Sequence, residues 1–489
     1  MKRTKWWWTL LSVLFIGLGI LMFRRYSGND GYIYRLPSQS KAIAMVDIKN
    51  LIDASESDEE LMKLITNVDF VRDGGIDWMK HLFCFVTNKD VVGFLLPVSD
   101  EDKVIAHIQN MEKKGRCGRI DKQFGIYWTV IDNNWVVGFD DEAMLIMGPG
   151  MGSDMMLKQE IRKCFEQKKQ QSGVYSSQYV AVNETQAAVA LVSQADVLSL
   201  FYDTELLSGL PEHTDLKDLN VTANIRFEKN KVVIQAGMES DNDELNAYMD
   251  TLFVMGEKLD GTYADYVTDE AMLWACVNTE GASLLKNLRK NLVSRTFLLG
   301  LNMCVDADLM IRSIEGDVAL TLYGMEKEGT PDYIVHAQLD NKDFLEQAPY
   351  WSGGNRPNSG ITFKNFGNNR FYLGYGSQDG YFGVKDETLY LTSHPKNIKS
   401  ENGEAKKLSQ WRKEITSGYF FVWLNIKSLL QETLKEQLNT REDGNHILSD
   451  LLLFEDMVIH VSPSRKITIE LCAGEGTNVT KELLSNEEY

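Results

Sequence analysis

The chain has 489 residues, 44% of them hydrophobic, and a formal net charge of −19. That apolar content excludes a disordered chain, and the length allows more than one domain. Residues 1–35 carry +5 and the rest −24, so the body repels polyphosphate and nucleic acid is excluded as a partner through a broad basic face.

The N-terminus opens "MKRTKWWWTLLSVLFIGLGILMFRR". Eighteen residues, Trp6–Phe23, pass without a charge. At a helical rise they reach about 27 Å, close to the thickness of a bilayer core. No small-residue cleavage site follows the run, and Arg24-Arg25 stands there instead, so the segment reads as an uncleaved signal-anchor. Lys2, Arg3 and Lys5 keep the head inside, which places the body outside the inner membrane, in the periplasm. The expected organisation is a head and transmembrane anchor over 1–25, a linker over 26–39, a first module over 40–256, a linker over 257–267 and a second module over 268–489.

Along the body, strand-like runs alternate with helical ones. "AIAMVDIKNLI", 42–52, is a strand, a polar step and a helix start. The same form returns in "AAVALVSQADVLSLF" (187–201), "MLWACVNTEGASLLKNL" (272–288) and "YFFVWLNIKSLLQETL" (419–434). The Asp or Asn at the step suits a helix cap or a local turn. The offset is 231 at Ala44/Ala275 and about 232 between 187–200 and 419–432. The hairpin "NVTANIRFEKNKVVIQAGM", 220–238, recurs at 456–474 with an offset of about 236. "VVGFDDEAMLIM", 136–147, aligns with "YFGVKDETLYLT", 381–392, at 245, matching Gly138/Gly383, Asp141/Asp386 and Glu142/Glu387. Four elements in one order predict two tandem copies of one module. Helical stretches are expected at 57–67, 99–113, 154–168, 192–206, 242–258, 281–299 and 427–439. Meanders mixed with helices define the fold class as α+β: two tandem-duplicated modules of antiparallel sheet packed with helices, after one transmembrane helix.

The step "VDIKNL", Val46–Leu51, just after an N-terminal membrane segment, resembles a group of Bacteroidota cell-envelope proteins classed only as a domain of unknown function. Members open with a small-residue strand running into Asp-Ile/Leu-Lys-Ser-Leu, and "LNIKSLL", 424–430, looks like a second copy. This chain departs from them in having a membrane helix in place of a lipobox cysteine. The resemblance implies an envelope location and brings no catalytic residues.

Candidate chemistry was weighed against plain structure. Asp140, Asp141 and Glu142 could gather oxygens for a divalent cation, but adjacent strand residues point to opposite faces and the second copy has Lys385 at the Asp140 place. They read as a turn. "GPGMGSDMMLKQEI", 148–161, has three glycines before a helix, without a phosphate-loop pattern. Ser283 and Lys286 match S-x-x-K, and Ser240-Asp241-Asn242 match S-D-N, but in the wrong order and with no K-T-G. The histidines at 81, 107, 213, 336, 394, 446 and 460 show no metal spacing. Asn183, Asn220 and Asn478 fit the glycosylation pattern, read as incidental. The aromatic run 369–383 reads as a hairpin covering a sheet rather than a sugar platform. Cys84 and Cys276 read as small hydrophobes within strands, and the six wide-spaced cysteines are no stapled framework. No residue is therefore assigned as catalytic, cofactor-binding or metal-ligating, and no cofactor is expected. The expected function is a non-enzymatic envelope binding or scaffold protein, tied to the inner membrane through residues 6–23, with a protein or small-molecule ligand held between the modules. The alternatives are an exported hydrolase with a site dispersed over loops, or a structural subunit of an envelope complex.

Overall fold

The computed structural model describes residues 30–55, 74–132, 134–149, 154–198, 215–253, 257–290, 292–302, 304–325, 330–354, 361–375, 378–398, 408–430, 451–462 and 465–485. The chain divides into two compact units, Met1–Tyr248 with Gly474–Tyr489, and Met249–Ala473. The predicted anchor, Trp6–Phe23, lies outside the described residues; among those residues no helix is long and apolar enough to cross a membrane.

The first unit contains β1 (Ser40–Val46), β2 (Leu82–Thr87), β3 (Val92–Pro97), β4 (Asp121–Gln123), β5 (Ile126–Ile131), β6 (Trp135–Phe139), β7 (Ala143–Gly148), β8 (Val189–Gln194), β9 (Leu219–Glu228) and β10 (Lys231–Ser240). Hydrogen bonding orders them β4-β5-β6-β7-β3-β2-β1-β8-β9-β10, antiparallel throughout. The expected turn at Glu228-Lys229-Asn230 closes the β9–β10 hairpin. Phe124 and Gly125 turn β4 into β5 with φ of 55° and 80°, the two left-handed positions a tight hairpin needs.

The second unit contains β11 (Leu273–Glu280), β12 (Ile314–Met325), β13 (Pro331–Leu339), β14 (Ile361–Gly367), β15 (Arg370–Tyr375), β16 (Gln378–Lys385), β17 (Thr388–Thr392), β18 (Phe420–Asn425), β19 (Phe454–Val461) and β20 (Lys466–Ala473). Their order is β14-β15-β16-β17-β13-β12-β11-β18-β19-β20, again antiparallel throughout. Strand by strand this is the order of the first unit. Asn368 and Asn369 make the β14–β15 turn with φ of 50° and 55°, where asparagine is tolerated best after glycine.

Each unit has a core on one face of its central strands; in the first the opposite face is largely buried too, with Ala42, Val86, Val92 and Phe94 packed on Val197. In the first, Ile43, Met45, Phe83, Phe85, Leu145 and Val192 share a core. Helix Asp154–Glu166 adds Leu157, Ile161, Cys164 and Phe165 to it, an i, i+4, i+7, i+8 stripe. In the second, Trp274, Cys276, Ala319, Phe421, Trp423 and Val458 pack together. Burial of several large side chains in each core, at roughly 25 cal/mol per Å² of apolar surface, is the main favourable term.

The expected helices at 99–113, 154–168 and 242–258 appear as Glu101–Lys113, Asp154–Glu166 and Asp243–Phe253. The stretch at 281–299 forms two helices, Gly281–Lys290 and Leu292–Leu301. The one at 57–67 lies outside the described residues, as do most of 192–206 and 427–439; their described parts hold helices Ala195–Leu198 and Ile426–Leu429. Helix Val479–Ser485 packs on helix Ile48–Ser55 and on β9, which ties it to the first unit. Asn478 fixes that contact by donating to the Ala54 carbonyl and accepting from Lys481 N–H.

Candidate functional site

The acidic triplet is a turn with an internal counter-ion. Asp140 Oδ1 accepts from Glu142 N–H and Ala143 N–H at 3.0 and 2.8 Å, and Arg35 sits 3.3 Å from Asp140 and 3.9 Å from Glu142. Both carboxylates are thereby engaged by a guanidinium that also donates to the Phe165 carbonyl. In the second unit the counterpart Asp386 holds a turn φ of 54°. Val98 N–H donates to the Glu142 carbonyl, and Leu339 N–H donates to the Glu387 carbonyl, the same bond at matching places.

The other sequence candidates lie in different units or are used locally. Ser240 Oγ donates to the Asp218 carbonyl, and Asn242 caps helix Asp243–Phe253 through Glu244 and Leu245 N–H. Ser283 instead lies on the exposed face of helix Gly281–Lys290 with Lys286, bonded to Glu280. The S-D-N triplet lies in the first unit and the S-x-x-K motif in the second. Of the glycine loop, 150–153 lie outside the described residues, as do His213 and His446. His336 stacks on Tyr263 and Tyr266 at 5.3 and 5.2 Å; His460 stacks on Phe421 with Glu470 3.8 Å away. Among the described residues no group of three His, Cys, Asp or Glu could hold a metal ion.

In the aromatic hairpin Phe371 and Phe382 face inward onto Trp351 and Phe363, part of a second core of that unit. Tyr372 and Tyr381 face the other way, 5.1 Å apart, and Tyr372 donates to Asp379 at 2.6 Å, which pushes its phenol up to about 12.

Two polar joints occupy matching places. In the first unit Asp47 follows β1 and accepts from Asn50 N–H, capping helix Ile48–Ser55, while His81, just before β2, lies 3.3 Å from its carboxylate. Burial works to raise the Asp47 carboxyl, but His81, the Asn50 N–H and the charge of Lys49 carry it below the ordinary range. In the second unit the paired residues are Asn278 and Asp317. Asp317 is fully buried and accepts from Asn278 Nδ2 at 3.2 Å, Asp260 N–H at 3.2 Å and Gly261 N–H at 2.8 Å. Burial raises its carboxyl above the ordinary value and outweighs those donors. Asn278 therefore does not cap the following helix; its amide holds the 257–261 loop, also accepting from Glu257 N–H. That loop lines an open cleft of about 660 Å³ with Thr416 and Tyr419. Its walls bring one lysine, two carboxylates and the residues Thr416 and Tyr419, without a histidine.

The sequence reading missed the second face of the central strands. Residues directly opposite in a ladder share a face. In the second unit that rule links Ile469, Ile459, Val422, Ala275, Leu320, Val335 and Leu391 in one row. In the first it links Ala236, Ala223, Leu191, Ala44, Cys84, Phe94 and Ile146. These rows lie on the side away from Trp274 and Trp423, or from Ile43 and Phe83. All fourteen residues are apolar; in the first unit Phe94, Cys84 and Ile146 pack in one cluster with Val197, whereas in the second Leu320 and Leu391 are each 38% exposed. The Cys84 thiol is pushed up to about 12 by burial, as a cysteine lodged among apolar groups should be. An antiparallel sheet with one wet face normally alternates apolar and polar residues. Here "LWACV" and "FFVWL" are apolar on both faces, and that was the available signal.

The described parts define a mixed α+β protein built on antiparallel sheet. The chain belongs to the family described as a domain of unknown function, DUF4836, whose model matches residues 36–465. No match was found among curated proteins. Among solved structures, crystal forms IV and III of TP0453 are each 10% identical to this chain with a TM-score of 0.27. Form IV covers 45% of this chain and 84% of that one; form III covers 48% and 91%. Similarity this low carries no argument about fold or activity.

Proposed function

We propose that this chain is a non-enzymatic, membrane-tethered protein of the cell envelope whose duplicated α+β modules hold an apolar ligand against a sheet face. The apolar row of the second unit, with Leu320 and Leu391 exposed, carries the reading. Soluble proteins rarely leave contiguous apolar surface accessible without a use for it. Supporting the duplication, the two rows match residue for residue at the offsets seen in the sequence: 231 at Ala44/Ala275, 236 at Ala223/Ile459 and 245 at Ile146/Leu391. Gly138 stands opposite Leu145 and Gly383 opposite Tyr390, as one ancestral register requires. The uncharged run Trp6–Phe23 supports a single-pass anchor in the inner membrane with the body in the periplasm.

The test is titration of residues 30–489 with a fluorescent fatty-acid analogue. Saturable binding is expected. Leu320→Glu and Leu391→Glu, at surface-accessible row positions, should each weaken it by about tenfold, because a carboxylate must lose water against the apolar probe. Absence of saturation in the parent, or indifference to both substitutions, would remove the binding face from the account.

A further inference from the structure

The segment Gly281–Val305 has no Asp or Glu, while it carries Lys286, Arg289, Lys290 and Arg295. It stands apart from a chain whose net charge is −19. Helix Gly281–Lys290 and helix Leu292–Leu301 bury Leu285 and Leu298 in the core around Trp351 and Phe363. The opposite side of the second helix presents Leu292, Arg295, Thr296 and Leu299, the i, i+3, i+4, i+7 positions of one face. Leu292 is 67% exposed and Leu299 64%, among the most exposed leucines of the described chain. Lys286 and Lys290 are exposed on the preceding helix. Arg289 is paired with Asp308, whereas Lys286, Lys290 and Arg295 have no ion pair among the described residues. Exposed leucines flanked by unpaired basic side chains match the pattern of a helix lying in a lipid interface, with its apolar groups among the headgroups and its cations on the phosphates.

We infer that helices 281–290 and 292–301 dock the second unit on a bilayer surface rich in anionic headgroups. The inference rests on the proposed tether for its high local lipid concentration, and the two can fail separately. The partner follows from charge complementarity: Lys286, Lys290 and Arg295, none of them ion-paired among the described residues, select a negative surface, and the two leucines select one into which apolar groups can sink.

The full chain would be reconstituted into nanodiscs of phosphatidylcholine alone or mixed with phosphatidylglycerol, and backbone hydrogen exchange followed over 281–301. Expected is protection of that segment in the anionic discs only, removed by high salt and by the K286E/K290E/R295E variant. Each Lys or Arg at an anionic surface contributes on the order of fivefold in affinity, so the triple reversal should weaken docking by on the order of a hundredfold. Leu292→Ser with Leu299→Ser, both at exposed positions, should also weaken it. Protection that is equal in both lipids, or unmoved by the triple variant, overturns the inference. So does protection that appears without lipid and grows with protein concentration, which would assign the patch to an acidic second copy of the chain. The tether is read separately, by whether the chain stays with phosphatidylcholine discs at high salt.

Discussion

His336 sets a pH dependence on the second unit. It lies on β13 against the rings of Tyr263 and Tyr266, which also touch each other, and burial lowers its imidazole to about 4 from an ordinary 6.5. Between those values the unfolded chain binds a proton that the folded one does not. The contribution to stability is thus complete above the ordinary value and is lost as pH falls through it toward about 4. The gap amounts to about 3 kcal/mol. Lowering the pH from about 7 to about 5 should therefore reduce the melting temperature. His336→Phe keeps a ring in the stack and removes the proton, so its melting temperature should fall less over the same interval. Equal falls in parent and variant would show that the imidazole titrates freely. Nothing in the sequence around His336, "YIVHAQ", marks this behaviour, because the two tyrosines that pack against the ring arrive from some seventy residues earlier.

At the scale of elements, the alternating runs and their turns were legible because strand period and turn chemistry are local properties. "NVTANIRFEKNKVVIQAGM" became the β9–β10 hairpin with its turn at Lys229-Asn230. Asp47 and Asn425 cap helices at the polar step, as their residue types allow. At Asn278 the strand runs into the helix as the pattern predicts, but its amide is bonded to Asp317 from another strand rather than capping, a long-range pairing invisible to local pattern. The paired glycines offer a test of the strand registers. A Cβ at Gly383 would land on the Asn369 carbonyl oxygen and 2.5 Å from the Tyr390 hydroxyl. A Cβ at Gly138 would meet only side chains, Ile161 at 2.7 Å and Trp128 at 3.0 Å. Backbone cannot yield as a methyl group can, so Gly383→Ala should cost about 2–3 kcal/mol in denaturant unfolding and Gly138→Ala about 1. A reversed order would mean that the β15–β16 backbone gives way more easily than the Ile161 and Trp128 side chains.

For the whole molecule, the charge asymmetry between a +5 head and a −24 body bears on where the chain resides. An acidic body gains nothing from an anionic membrane surface, so the proposed association rests on local features: the uncharged run Trp6–Phe23 and the acid-free patch at 281–305. Removal of residues 1–29 should release the body from alkaline-washed membranes, whereas the full chain should stay, since a buried helix is not displaced by charge. Orientation depends on the basic residues flanking that run. Lys2, Arg3 and Lys5 outnumber Arg24 and Arg25 by only one, so the proposed cytoplasmic head rests on a narrow charge difference. Replacing Lys2, Arg3 and Lys5 with glutamine leaves Arg24-Arg25 as the dominant charge and should place a fraction of the bodies on the cytoplasmic side. Protease added to intact spheroplasts reads this directly. The body of the parent should be digested and part of the variant's protected. Protection of the parent itself would overturn the proposed orientation and, with it, the proposed periplasmic location.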